Sequence, residues 1–432
     1  MLDIINLSGI KLIGKRDKIM QYDVEYIRRQ FPALGVKVNG FPAAYFDGPG
    51  GTQVPQRVID SMVDYLVNCN ANAGGAFLTS CKSDKTINEA RAALADFLGA
   101  EPDEIAFGHN TTTMMFQLAL ALGREQGSRN EILITEIDHE ANRGPWLALE
   151  ERGFIIREAR FDPDTCTLDM ADFKSKLNDK TLVATFNYAS NGVGTVSDVK
   201  EMVRLSHKVG AITVIDAVHF ALHGPIDVKE LDTDFLLCSA YKFFGPHIGV
   251  FYGRREQFEK LPAYRLRVQY DKIPYKIETG TLNHEGIAGA GEAVEFIADI
   301  GSRFYFPGNP PADRRSRVVA GMKAMESYEQ PLAQKMIDEL TSIERVNIYG
   351  PPKDHPRTST VSFTIDGISA DKVATALGEK GLFVWDGHFY AACLVEKLGL
   401  DSIGGLVRVG LSPYNTEGEI DRLLAEVKKI AT

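Results

Sequence analysis

The chain has 432 residues, 44% hydrophobic and 25% charged, with 48 Lys+Arg against 58 Asp+Glu for a formal net charge of −10. At roughly 100–200 residues per domain this is an enzyme-sized chain of two or three domains. The acidic balance excludes the basic face that sequence-independent nucleic-acid binding requires.

Cys69, Cys81, Cys166, Cys238 and Cys393 form no CxxC pair, so they support neither a disulfide framework nor a zinc knuckle; they point to a reducing, cytoplasmic setting. No apolar run approaches the roughly 20 residues of a membrane span. In Met1–Met20 the apolar residues precede Lys11, Lys15, Arg16 and Lys18, the reverse of a secretory signal. Residues 1–20 read as an extension before the folded domains.

Val54–Asn68 has helical periodicity, with Pro55 suited to a first turn, and Lys85–Leu98 repeats the pattern up to Gly99. Short apolar runs then alternate with helical segments: Glu104–Phe107, Glu131–Ile134, Phe154–Ile156, Leu182–Phe186, Ala211–Ile215, Asp234–Leu237 and Ile248–Tyr252. Runs apolar throughout predict strands buried on both faces, hence an α/β domain with a mostly parallel wound sheet over residues 21–300. Between Gly301 and Pro311 the texture changes. Beyond it, helices and strands near Val346–Tyr349, Ser359–Ile365, Leu382–Val384 and Leu406–Leu411, with a last helix at Thr416–Ile430, predict a smaller α+β domain over residues 301–432.

Wound sheets bind ligands beyond the carboxyl ends of their strands. At one such end Gly108-His-Asn-Thr-Thr-Thr113 opens a helix, a place for phosphate as much as for simple capping. Asp216 ends another strand. His219 and His223 follow it four apart, a spacing zinc sites use on helices, yet no third ligand accompanies them, and no metal is expected. Lys242, followed by two phenylalanines and Gly-Pro, is either a snorkelling lysine or a desolvated amine suited to Schiff-base chemistry. Asp138-His139 and Asn187–Asn191 follow two further strands. Together these ends offer an anion pocket, a carboxylate, an imidazole, an amide and a lysine, which is the set pyridoxal phosphate requires.

These residues resemble those of the class V aminotransferases of pyridoxal-phosphate fold type I, most closely the cysteine desulfurase-like branch, over nearly all of Tyr22–Ile430. Ser239-Ala-Tyr-Lys242 followed by Gly245-Pro246 is similar to the branch's Ser-x-His-Lys signature, which makes Lys242 the Schiff-base lysine. The resemblance implies Thr111, Thr112, Ser239 and Tyr241 at the phosphate and His139 stacked on the pyridine. It further implies Asp216 at the ring nitrogen, with Asn191 and His219 near the ring hydroxyl, although the family more often has Gln where His219 stands. Thr281, in Glu278–Asn283, would reach the partner subunit's phosphate in a homodimer. Arg408 would hold the α-carboxylate of a small amino-acid substrate, a task for which a bidentate guanidinium suits better than lysine.

Two departures stand out. Tyr390 occupies the position of the nucleophilic loop cysteine, with Cys393 three residues later, and Ala73-Gly74 falls where the sulfur-carrying branch often has His-Arg. The expectation is therefore a lyase cleaving a Cβ–S bond of a cysteine-derived amino acid, with Lys242 as base and Tyr390 available as proton donor. Aminotransferase or epimerase chemistry is the alternative. A cofactor-binding protein without activity is a third reading, against which Lys242, Asp216 and Arg408 stand together.

Overall fold

The computed structural model describes residues 22–124, 127–306 and 308–432. The expected extension over residues 1–20 lies outside them.

The large sheet has seven strands: β1 (Ile105–Gly108), β2 (Glu131–Thr135), β3 (Ile155–Ala159), β4 (Thr181–Asn187), β5 (Ile212–Asp216), β6 (Phe235–Ser239) and β7 (Gly249–Gly253), in the order β1-β7-β6-β5-β4-β2-β3. Only β7 runs antiparallel to its neighbours. Every residue of β2, β6 and β7 is buried, as expected of strands covered on both faces. The edge strand β3 departs from that expectation. Its burial alternates, and Ile155 is exposed because one side of an edge strand lacks a neighbour.

Helices α1 (Gln56–Asn68), α2 (Leu78–Leu98) and α3 (Thr111–Leu122) precede or cross the sheet. α2 starts seven residues before the predicted Lys85, since its first turns carry polar residues that blur the periodicity. Register sets up the site: Asp216 at the end of β5 pairs with Asn187 of β4 on one side and Leu237 of β6 on the other. The carboxyl ends of β4, β5 and β6 therefore lie level.

The second sheet is antiparallel, with strands β8 (Val346–Tyr349), β9 (Thr360–Ile365), β10 (Trp385–Gly387) and β11 (Leu406–Gly410) in the order β8-β9-β11-β10. Sequence periodicity misses β10, a three-residue strand. The predicted strand at Leu382 pairs instead with Ala44–Tyr45, parallel and outside this sheet.

Two long helices join the layers. In α4 (Arg314–Thr341), Val318, Met322 and Met325 pack into the core of the large sheet, whereas Ala333, Met336 and Leu340 beyond Pro331 pack into that of the small one. α5 (Glu417–Ala431) closes the chain with the capping box Thr416/Glu419. A further helix, His284–Ile300, crosses α4 so closely that a Cβ on Gly321 would sit 2.0 Å from the Ile297 carbonyl oxygen.

Candidate active site

A cleft of about 230 Å³ opens at the carboxyl edge of the large sheet, roofed by the β10–β11 side of the small one. Thr111, Thr112, His139, Asn191, Asp216, His219, Ser239, Tyr241, Lys242, Tyr390 and Arg408 all line it. Thr281 does not. It is exposed at the turn before His284–Ile300, away from the cleft of its own chain.

The anion end is built from β1, β6 and α3. Asn110 caps α3 by accepting from the Thr113 amide at 2.8 Å, while the Thr111 hydroxyl lies 2.6 Å from that of Ser239 and 3.0 Å from the Cys238 carbonyl oxygen. The amides of the first helical turn have no partner within the helix, so donors and helix dipole converge on one spot. Gly249 makes this approach possible: a Cβ there would lie 2.7 Å from the Asn110 backbone.

Lys242 follows β6 in a tight turn and donates to the Pro49 carbonyl. Its ammonium stands 4.9 Å from the Tyr241 ring centroid. Burial, then the Arg408 charge, lowers it to about 7, against which Asp47 and Asp216 pull upward. Phe243 and Phe244 are fully buried and fix the turn from behind. The lysine is thus an amine with a substantial uncharged fraction near neutrality rather than a surface ammonium.

Asp216 is 6% exposed and accepts from the Val218 amide at 2.9 Å. Burial pushes it up to about 6, so this is a carboxyl in want of a cation. His139 takes the Ala141 amide on Nδ1 at 2.9 Å and is lowered to about 4 by burial first and then by Lys242, Arg408 and His388. Its ring is neutral at physiological pH and free to stack. His219 Nε2 meets the hydroxyls of Thr358 and Thr360 at 3.1 Å each, and burial holds it well below the usual imidazole range. His219 and His223 flank a single 3-10 turn, Phe220–Leu222, not an α-helix, and His223 is spoken for by Glu329 at 3.3 Å.

Arg408, on β11, is 4% exposed and lies over the Phe389 ring at 4.3 Å, with Nη1 donating to the Asn191 carbonyl at 3.0 Å. Burial lowers it to about 10, which leaves it fully charged at neutral pH.

The loop after β10 holds the surprise. Phe389 (φ +53°) and Tyr390 (φ +59°) are left-handed, and both carbonyls are captured from across the cleft: Asn191 Nδ2 donates to Phe389 at 2.8 Å and the Glu140 amide to Tyr390 at 2.7 Å. Tyr390 stands at the mouth beside His139, ring centroids 5.5 Å apart. Cys393 is outside the cleft lining, half-buried near Arg143, with its thiol pushed up by burial. Sequence reasoning missed these carbonyl clamps because backbone conformation of non-glycine residues leaves no compositional trace.

The fold and this donor set are those of the pyridoxal-phosphate enzymes of fold type I. Residues 44–305 and 318–423 match the aminotransferase class-V family. A cysteine desulfurase of Pectobacterium atrosepticum is 30% identical over 429 residues, covering 95% of this chain and 98% of its own. A probable cysteine desulfurase of Halalkalibacterium halodurans is 31% identical over 419 residues, 93% and 97% of the two chains. Among solved structures, the apo cysteine desulfurase of Thermococcus onnurineus is similar with a TM-score of 0.82 at 27% identity, covering 94% of this chain and 98% of that one.

The chain belongs to the class-V aminotransferase family, as a cysteine desulfurase-like enzyme whose cofactor is pyridoxal phosphate. Its residues fit that group. Asn191 Oδ1 is buried without a partner, the Asp216 carboxyl is raised by burial and accepts only the Val218 amide, and open donors gather at the α3 N-terminus.

Proposed function

We propose that the protein is a lyase that cleaves the Cβ–S bond of a cysteine-derived amino acid. The observation that carries this reading is the pinned Tyr390 loop. Persulfide transfer needs a cysteine able to reach the substrate sulfur, and here a tyrosine is held at the mouth while Cys393 is half-buried outside the cleft lining. The balanced reaction converts an S-substituted cysteine and water to thiol, pyruvate and ammonium.

Lys242 would bond the cofactor, Asp216 meet its ring nitrogen, and His139 stack on the ring. Thr111, Thr112, Ser239 and Tyr241 would hold the phosphate, with Asn191 and His219 near the ring hydroxyl. When bound, the cofactor supplies an electrophilic carbonyl and an electron sink for charge released at Cα. Lys242, about half unprotonated at pH 7, takes the Cα proton. Arg408 fixes the α-carboxylate and so turns the Cα–H bond toward the lysine. Tyr390, at the mouth, would donate a proton to the departing sulfur.

A homodimer with Thr281 reaching the partner's phosphate belongs to the same reading. Val63, Leu66 and Val67 on α1, with Leu266, Val268 and Tyr270, are exposed apolar side chains of the kind a second copy covers. The five free cysteines suit a cytoplasmic site of action. No helix among the described residues is long and apolar enough to cross a membrane.

The test is a product panel on S-substituted cysteines. Thiol, pyruvate and ammonium in equal amounts, unchanged in Cys393→Ala, are expected. Cysteine itself, added to the panel with a thiol reductant and giving alanine and sulfide that are both lost in Cys393→Ala, would establish desulfuration instead. Exchange that depends on keto acid and releases no ammonium would mean transamination, and Cα inversion alone would mean epimerisation. A purified protein with no cofactor absorbance band, or one whose band survives Lys242→Ala, would sink the reading altogether.

A further inference from the structure

The substrate's side chain can be read from what the cleft has left once its charges are used. On the reading above, Lys242, Asp216 and Arg408 are engaged by cofactor and α-carboxylate. Among the described residues no other Lys, Arg, Asp or Glu lines the cleft, Asp47 behind it stands 4.0 Å from Arg408 and serves that charge, and His139 and His219 are neutral. A charged substituent would find no free counter-ion among these residues, so it gains nothing there that water does not already supply.

What remains at the mouth is aromatic. Trp385 pairs in register with Arg408 across the β10–β11 ladder, so it flanks the residue that holds the carboxylate. It is 52% exposed, and Tyr390 beside His139 is 68% exposed, although both line the cleft. Large aromatic surfaces left open in the lining of a binding cleft are stacking faces. The clamps on the Phe389 and Tyr390 carbonyls hold the Tyr390 side in place, so the wall is formed before ligand arrives.

We propose that the site selects amino acids whose β-substituent is uncharged and aromatic, an S-aryl cysteine being the simplest, with Trp385 and Tyr390 as the specificity-determining walls. This rests on the cofactor and carboxylate assignments of the preceding section.

The test measures binding, not turnover. The chain has two tryptophans, and Trp146 is fully buried, so quenching of the exposed indole reports occupancy at Trp385. Holoenzyme is titrated with S-phenyl-, S-methyl-, S-carboxymethyl- and S-(2-aminoethyl)-L-cysteine, followed by indole emission and by the cofactor band. S-phenylcysteine is expected to bind about tenfold or more tighter than S-methylcysteine, and both charged compounds more weakly still. Trp385→Ala and Tyr390→Ala should each erase about 5- to 10-fold of the aryl preference, read from the cofactor band, whereas Tyr390→Phe keeps it. Both side chains are more than half exposed, and an unaltered cofactor band shows that each variant is folded. A charged derivative binding as tightly as the phenyl one, or an aryl preference untouched by either alanine variant, would overturn the proposal. In that case an intact band that responds to ligand leaves the cofactor assignment standing. A missing band, or one indifferent to Lys242→Ala, instead overturns the reading beneath it.

Discussion

The Glu140 amide donates to the main-chain oxygen of Tyr390 at 2.7 Å, tying the loop at the cleft mouth to the turn that carries His139. A left-handed non-glycine residue costs roughly 1–2 kcal/mol, and a net hydrogen bond returns about 1 kcal/mol. Two consecutive left-handed residues therefore need both carbonyl clamps to stay where they are. The loop is held by a near balance, and removing one clamp tips it.

Asn191→Ala removes the clamp on Phe389. The lost bond, about 1–2 kcal/mol, should speed local amide exchange around 388–391 by roughly 5- to 30-fold, with the Ala391 amide, bonded to the His388 carbonyl at 2.7 Å, as the reporter. Exchange in β4 and β5 should stay unchanged. An Ala391 amide that already exchanges freely in the wild type would mean the loop is not held.

The crossing of α4 with His284–Ile300 predicts a sharp stability effect. Gly321→Ala would drive a methyl into the Ile297 carbonyl, 2.0 Å away, and backbone cannot give as a side chain does. A loss of about 2 kcal/mol or more is expected, seen as a lower urea midpoint or as insoluble protein. Gly378→Ala is the control. Its Cβ meets open space at the end of a helix, so the substitution should be neutral or stabilise by a few tenths of a kcal/mol. Equal behaviour of the two variants would refute the close crossing.

Much of this arrangement was legible in the sequence because it rests on local, periodic or contiguous signals. Apolar runs mark β2, β5 and β6, and a polar residue closes or follows each within a few positions: His139, Asp216, Lys242. What was hidden depends on distant pairing. β10 is too short for periodicity, and Leu382 finds its partner at Ala44, more than three hundred residues away. The capture of the Tyr390 carbonyl by Glu140 likewise joins distant segments, and no side chain of either residue takes part. Cys393 looked like a displaced nucleophile in one dimension. Only the fold shows it in the first turn of the helix Ala392–Lys397, half-buried and outside the cleft lining.

Arg408→Lys tests the carboxylate site. Lysine keeps the charge but loses the planar fork, the contact with the Phe389 ring and the bond to the Asn191 carbonyl. A charge-assisted bond of about 1.5–3 kcal/mol corresponds to a rise in KM of roughly 10- to 150-fold. kcat should fall less, since the lysine can still reach one carboxylate oxygen. An unchanged KM would remove Arg408 from substrate binding.

Lys242 offers the clearest pH signature. A free lysine amine loses its proton near 10.4, so a solvated one would be almost wholly charged at pH 7. Burial and the Arg408 charge bring Lys242 to about 7, and only the uncharged amine attacks a carbonyl. Apoprotein mixed with pyridoxal phosphate should therefore regain its absorbance band at a rate that climbs through a midpoint near pH 7 and levels off by about pH 8.5. Arg408→Met removes the second cause of the lowering, so the midpoint should move upward, while Asp47→Asn removes an opposing charge and should move it down. A rate still climbing tenfold per unit at pH 9 would show an ordinary, solvated lysine. The assay reads the amine alone, independently of which amino acid the enzyme consumes.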